Sequence, residues 1–297
     1  MANELIKGQL EGNAGGSEAR IMAFTIAKGG QLKTTSVVNI AGAIMKDNLL
    51  KQAKVCILDV DPQGHIFKTF GYNAHELTER ENFGAALVGY LNDNGERISG
   101  FEVVQNCIFE IYRENEHKYI HCISSNELCD FLDVNILLDQ GLTNPTLLLQ
   151  KLCNEMKPYY DFILIDTPPS YSVMITNVLM VENIEVYIPY EPDAYCVESA
   201  IKTIRTSKNL IDSGNNPSLK IRGMFATKVK KTTNAHMGLV EHGKKLAEVN
   251  GVPHFNTLIP STIKTSSAVL YEALPSTLSP KATDRVFEYI QLWREMK

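Results

Sequence analysis

Six apolar runs, separated by stretches of helical periodicity, set the limits on what this chain can fold into. "IMAFTIA" (21–27), "KVCILDV" (54–60), "FILID" (162–166), "EVYIPY" (185–190), "IRGMFAT" (221–227) and "FNTLIP" (255–260) each read as a strand. A strand with one wet face alternates apolar and polar residues. Continuous apolar strands belong to a parallel sheet covered on both sides. The expected fold class is therefore α/β: a doubly wound, mostly parallel sheet with helices on both faces. "KTTSVVNIAGAIMKDNLL" has helical periodicity, "NFGAALVGYLN" reads as a helix and "YIHCISS" as a further strand. No repeat or low-complexity linker interrupts the pattern, so one domain over 21–297 is expected, preceded by a loose polar tail at 1–20.

Composition narrows the function classes. Hydrophobic content of 44% and charged content of 21% fit a soluble globular chain. The N-terminal stretch lacks the apolar segment of a secretory signal and no run of eighteen apolar residues occurs, so a cytoplasmic protein is expected. The six cysteines form no CxxC pair and are expected as buried, reduced thiols. His117 and His121 are four apart, but in a strand-like stretch that spacing does not make a metal pair. The net charge of −5 conceals an asymmetry: residues 1–200 carry 14 basic and 27 acidic side chains, a net of −13, and residues 201–297 carry 15 and 7, a net of +8. A split of this kind points to a polyanion-binding face.

The chemistry concentrates in "AKGGQLKTTSVVNIAG" (27–42), where a strand, a glycine-bearing turn and Lys-Thr-Thr open a helix. A helix start offers unpaired N–H groups and a partial positive charge, and both suit phosphate. Gly29 and Gly30 let the backbone approach closely, Lys33 neutralises the outer phosphates, Thr34 supplies a hydroxyl to Mg²⁺, and Thr35 bonds an inner phosphate. The strict pattern G-x-x-x-x-G-K-[ST] fails twice, with Ala27 at its first glycine and Leu32 at its second. Two strand ends support the site nonetheless. "ILDVDPQG" sets Asp59 and Asp61 two apart at a strand's carboxyl end, facing one crevice, and "DFILIDTPPS" sets Asp166 where an acid joins the Mg²⁺ shell. As an ordinary alternative, Asp59 and Asp61 cap or form turns and Lys28 is a solvated loop lysine.

"KGGQLKTT", "DVDPQG" and "DFILIDTPPS", in that order, resemble the ParA family of deviant Walker A, P-loop ATPases, which segregate plasmids and chromosomes. "IPYEPDAYCVESA" and "IPSTIKTSSAVLYEALPS" resemble that family's downstream blocks, so the likeness runs from Ile21 to Lys297. The resemblance implies an ATP- and Mg²⁺-dependent homodimer that sandwiches nucleotide. Lys28 would be the signature lysine crossing to the other subunit's phosphates, and Lys33 the lysine acting within its own. Asp61 would position or activate the attacking water, with Asp59 and Asp166 near Mg²⁺. The resemblance also implies non-specific binding of double-stranded DNA, association with the nucleoid, and hydrolysis stimulated by a ParB-like centromere-binding partner. Leu32 departs from the family glycine. If the backbone there needs a positive φ, leucine costs roughly 1–2 kcal/mol. Gln31 is polar where a small apolar residue is usual, and the sequence assigns it no role beyond its place in the loop.

The basic stretch Lys220, Arg222, Lys228, Lys230, Lys231, Lys244 and Lys245 is opposed only by Glu241, and with Lys264 it is the expected DNA-binding face, read through phosphates. Three other functions compete. A nucleotide-responsive scaffold with little hydrolysis would follow from an impaired Leu32 loop. A membrane-associated ATPase similar to MinD needs a basic amphipathic C-terminal helix, whereas "ATDRVFEYIQLWREMK" is mixed in charge and expected to pack on the core through Val286, Phe287, Ile290 and Trp293. An iron–sulfur ATPase similar to the nitrogenase iron protein finds little support in the cysteine positions. No membrane is expected among the partners.

Overall fold

The computed structural model describes residues 19–142, 144–169, 172–261, 272–280 and 287–297. Its strands are β1 (Arg20–Phe24), β2 (Ala53–Asp59), β3 (Tyr90–Leu91), β4 (Arg97–Ile98), β5 (Phe109–Asn115), β6 (Lys118–Ile123), β7 (Phe162–Asp166), β8 (Glu185–Tyr190) and β9 (Lys220–Ala226). Seven of them form one sheet in the order β5-β6-β2-β7-β1-β8-β9, and β3 pairs with β4 in a separate ribbon. Every pairing in the large sheet is parallel except β5 with β6. The helices are α1 (Lys33–Met45), α2 (His65–Thr69), α3 (Phe83–Val88), α4 (Phe101–Asn106), α5 (Leu132–Leu138), α6 (Leu148–Met156), α7 (Val173–Leu179), α8 (Ala194–Asp212), α9 (Asn234–Val249) and α10 (Phe287–Met296).

The two-residue repeat of a strand divides the apolar runs between two cores. Met22, Phe24, Val55, Ile57, Leu164, Tyr187 and Phe225 join one cluster, with Val37, Ile40 and Ile44 of α1 and Leu292 and Trp293 of α10. Ile21, Ala23, Cys56, Leu58, Ile163, Ile165, Val186 and Ile188 join the other, with residues of α6, α7, α8 and α9. This is the doubly wound sheet expected from the sequence. All six cysteines are free and buried, as expected.

Two expectations need correction. "FNTLIP" is not a strand: its backbone pairs with the chain of β9 and just beyond it only through isolated bridges, Met224 with His254 and Val229 with Pro260. The Phe255 N–H donates to the Met224 carbonyl and the Ile259 N–H to the Ala226 carbonyl, and the ladder breaks between them. The C-terminal helix packs on the core through Ile290 and Trp293 as expected, joined by Tyr289, Leu292 and Met296, but Phe287 is 54% exposed. Val286 lies outside the described residues. Arg20, placed by sequence in the tail, opens β1 and its guanidinium donates to Glu185, the Tyr187 hydroxyl and the Met296 carbonyl.

Candidate phosphate-binding site

Parallel pairing brings three strand ends to one edge. Phe24 of β1 and Asp59 of β2 are both the register partners of Asp166 on β7. The chain then turns through residues 25–32 into α1. Gly30 has φ 74°, and Leu32 has φ 57° and ψ 31°, so both lie in the left-handed region. Leu32 thus holds a backbone conformation that ordinarily favours glycine. No side chain caps the start of α1, and its first turn holds no acid. Its leading N–H groups therefore stand open to an anion.

Lys33 is 7% exposed and its ammonium donates to the Lys28 carbonyl at 3.2 Å. Burial pushes its pKa down, opposed by the charges of Asp166 and Asp61. The Thr34 hydroxyl donates to Asp166 Oδ2 at 2.6 Å. Asp166 and Asp59 are both fully buried, and Oδ1 of each has no hydrogen-bond partner. Burial raises the Asp166 pKa to about 7, with the Thr34 bond and Lys33 pulling it down. Asp59 is raised well above the carboxylate range, first by burial and then by the charge of Asp166. Buried carboxylate oxygens without a hydrogen-bond partner are suited to meet a cation or a donor. No cluster of three or more His, Cys, Asp or Glu suited to a metal occurs among the described residues. A Mg²⁺ held here would take the rest of its shell from phosphate oxygens and water.

Asp61 begins the turn after β2, where its carboxylate accepts from the Gln63 N–H at 3.1 Å, so it forms a turn and also acts electrostatically on Lys33. Lys28 does not point into the cradle alone: its ammonium is 3.4 Å from Asp193 Oδ1 and 5.6 Å from the Tyr195 ring centroid. Gly29 is exposed, and a Cβ there would meet only ordinary contact with Pro169. Thr35 lies in the first turn of α1, and its carbonyl accepts from Asn39.

Gln31 has a definite role. It is 3% exposed; its amide nitrogen donates to the Gly29 carbonyl at 3.2 Å and its amide oxygen accepts from the Glu191 N–H at 2.7 Å. Its backbone carbonyl accepts from the Thr227 hydroxyl at 3.4 Å. The loop is thereby stitched to the ends of β8 and β9. Ser124 and Ser125, just past β6, donate to Asp59: Ser125 to its carbonyl at 2.8 Å and Ser124 to Oδ2 at 3.5 Å. Sequence reasoning missed Glu191 and Asp193, although "EPD" follows an apolar strand as Asp59 and Asp166 do, and that signal could have found them.

The basic residues do not form one patch. Lys220 and Arg222 lie at the amino end of β9, the edge opposite the site, and Arg222 is 3.6 Å from Glu185. Lys228 sits at the site edge, where its ammonium pairs with Glu191 at 3.2 Å and stands 3.7 Å from where a Cβ on Gly30 would lie. Lys230 and Lys231 are exposed on the following loop, and Lys245 is exposed on α9, while Lys244 pairs with Glu241 at 3.0 Å. Lys264 lies outside the described residues. A groove of about 760 Å³ between α8 and α9 opens beside Ala27 and is lined by Lys202, Arg205 and His242.

Residues 19–221 match a family model described as an AAA domain. A ParA family protein of Mycoplasma pneumoniae is 27% identical over 278 residues, covering 93% of this chain and 96% of that protein. The chromosome-partitioning ATPase Soj of Treponema pallidum is 30% identical over 249 residues, covering 84% and 86%. The chain belongs to the ParA family. The ParA-family fold extends to solved structures: that of Cyanothece McdA in complex with ATP superposes with a TM-score of 0.73 at 16% identity, covering 95% and 97%. No helix among the described residues of this ParA-family chain is long and apolar enough to cross a membrane.

Proposed function

We propose that this chain is a DNA-partition ATPase that hydrolyses ATP with Mg²⁺ and uses the cycle to hold and release DNA. One observation carries the reading: two buried carboxylates with orphaned oxygens meet a buried lysine at the uncapped start of a helix. Thr34, Asp59 and Asp166 are the residues that would hold Mg²⁺, with the two acids acting directly or through water. The metal would supply charge neutralisation for the triphosphate. Lys33 and the N–H groups of the α1 start bind the phosphates, and Thr35 adds a hydroxyl. Asp61, at the mouth, orients the attacking water and takes its proton.

Lys28 is the cation lent to the second subunit of an ATP-bound dimer. To cross, it leaves Asp193, a partly exposed pair whose loss costs little. The dimer binds duplex DNA without sequence preference, a centromere-binding partition protein stimulates hydrolysis, and the protein resides on the nucleoid in the cytoplasm. The left-handed Leu32 supports a second reading, a scaffold that binds nucleotide and hardly turns it over.

ATP turnover measured with and without duplex DNA separates the two. The expected result is phosphate release that Lys33→Ala lowers by about 100-fold or more, together with ATP-dependent DNA retention lost in the same variant. Nucleotide binding with no phosphate release in the presence of DNA and partner selects the scaffold. Identical DNA retention with and without ATP refutes the switch.

A further inference from the structure

Lys228, expected from the sequence on the DNA-binding face, stands over the phosphate loop instead. Its backbone has φ 51°, in the left-handed region that favours glycine. The residues on either side hold it there. The Thr227 N–H donates to the Tyr190 carbonyl at 2.7 Å and its hydroxyl to the Gln31 carbonyl at 3.4 Å. The Val229 N–H donates to the Ile259 carbonyl at 3.0 Å, and the Val229 carbonyl accepts from the Ser261 N–H at 3.2 Å. Backbone strain persists where the surroundings over-determine it, and it gathers at functional sites. The side chain so placed reaches the Glu191 carboxylate at 3.2 Å and ends 3.7 Å from where a Cβ on Gly30 would lie. Glu191 in turn gives its N–H to the Gln31 amide oxygen at 2.7 Å. Residues 30, 31, 191 and 228 therefore close a ring, and the loop itself forms one side of it.

The ring stands on one flank of the loop. The sheet order puts β7 and β2, with Asp166 and Asp59, on one side of β1, and β8 and β9 on the other. With Mg²⁺ and the outer phosphates at those acids, the placement proposed above on which this assignment rests, the inner phosphate and the nucleoside extend toward β8 and β9. Glu191 unpaired would repel an anion on that flank, and Lys228 cancels its charge. A lysine held ready for DNA keeps its ammonium in solvent, whereas the Lys228 side chain is only 33% exposed and its ammonium is paired. We infer that Lys228 is a positioning residue for the nucleotide: it braces Gly30 from the nucleoside flank and neutralises Glu191.

Binding of ADP with Mg²⁺, read by titration calorimetry, needs no turnover and so tests Lys228 even in a protein that hardly hydrolyses ATP. Lys33→Ala is the control that removes the cradle's own cation. Lys228→Met keeps the alkyl chain without the charge and should bind ADP about fivefold or more weaker than the parent. Lys228→Arg should stay within about threefold of the parent, because a guanidinium reaches the same carboxylate. Lys228→Gly separates this role from a structural one. It relieves the left-handed strain, so it should melt no lower than the parent while binding ADP as weakly as Lys228→Met. Under turnover, Lys228→Met should raise KM for ATP more than it lowers kcat. Parental affinity in Lys228→Met, with binding lost in Lys33→Ala, overturns the role of Lys228 and leaves the cradle standing. Parental affinity in both overturns the cradle as well. Melting temperatures of the Met and Gly variants that fall in step with affinity make Lys228 a structural residue and overturn its role too. So does a salt slope of duplex binding, at saturating ATP, that Lys228→Met lowers by about 1, since the ammonium then belongs to the DNA.

Discussion

Leu32 holds φ 57° at the point where the loop enters α1, and the residue before it departs from the family pattern as well. The two departures explain each other. A leucine in the left-handed region costs roughly 1–2 kcal/mol. The Gln31 side chain donates to the Gly29 carbonyl and accepts from the Glu191 N–H, each bond contributing about 0.5–1.5 kcal/mol net. We expect Gln31→Val to destabilise the protein by about 1–3 kcal/mol and to raise KM for ATP more than it lowers kcat. In a Leu32→Gly background the same change should cost less, with a coupling of about 0.5 kcal/mol or more by urea unfolding. Strict additivity would mean that the two residues act independently. The motif was legible in the sequence because its parts are local. The role of Gln31 was not, because its partners lie at positions 191 and 227, brought near only by the pairing of β1 with β8 and of β8 with β9.

Helix α1 is buried nearly throughout, and the chain at 276–278 lies against it. Asn39 Oδ1 accepts from the Ser276 hydroxyl at 2.7 Å and from the Thr277 N–H at 3.1 Å. One turn on, a Cβ at Gly42 would fall 2.1 Å from Thr277 Oγ1 and 2.9 Å from Thr277 Cβ. Glycine inside a helix normally costs about 1 kcal/mol against alanine. Here Gly42→Ala should nevertheless destabilise by about 1–3 kcal/mol, because the overpacked segment must shift. Urea unfolding checks this, and a stabilised Gly42→Ala would show that the segment leaves α1 freely. Elements defined by burial on both faces were readable: β7 and β8 fall where the apolar runs begin and end, and β1, β2, β6 and β9 within one to three residues. β5 was not, since "FEIYREN" alternates charges as an edge strand must and lacks the apolar run that marks its neighbours. "FNTLIP" was misread for the opposite reason: it has the apolar residues of a strand, but its backbone bonds to β9 break off between Phe255 and Ile259.

The excess of positive charge in the last third of the chain invites the idea of one broad cationic face, and the topology divides it instead. β9 runs from Lys220 at one edge of the sheet to Ala226 at the site edge, a span of roughly 20 Å at about 3.3 Å per step. Arg222 is matched by Glu185, Lys228 by Glu191 and Lys244 by Glu241; of the exposed lysines Lys220, Lys230, Lys231 and Lys245, Lys230 and Lys231 stand on the loop at the nucleotide edge. A DNA-binding surface coupled to nucleotide has to lie at that edge, where a bound triphosphate alters its surroundings. Neutralising both loop lysines should therefore weaken binding to a duplex in the presence of ATP and flatten its dependence on salt. Each phosphate contact contributes a slope of about 0.9 in log affinity against log salt, so Lys230→Ala with Lys231→Ala should reduce the slope by about 2. Lys220→Ala, at the opposite edge, should leave the slope within about 0.5 of the parent value if it makes no phosphate contact. Anisotropy titrations of a labelled duplex between roughly 50 and 200 mM salt read both numbers. A larger loss from Lys220→Ala than from the loop pair would place the polyanion on the far edge and disconnect DNA binding from the phosphate loop.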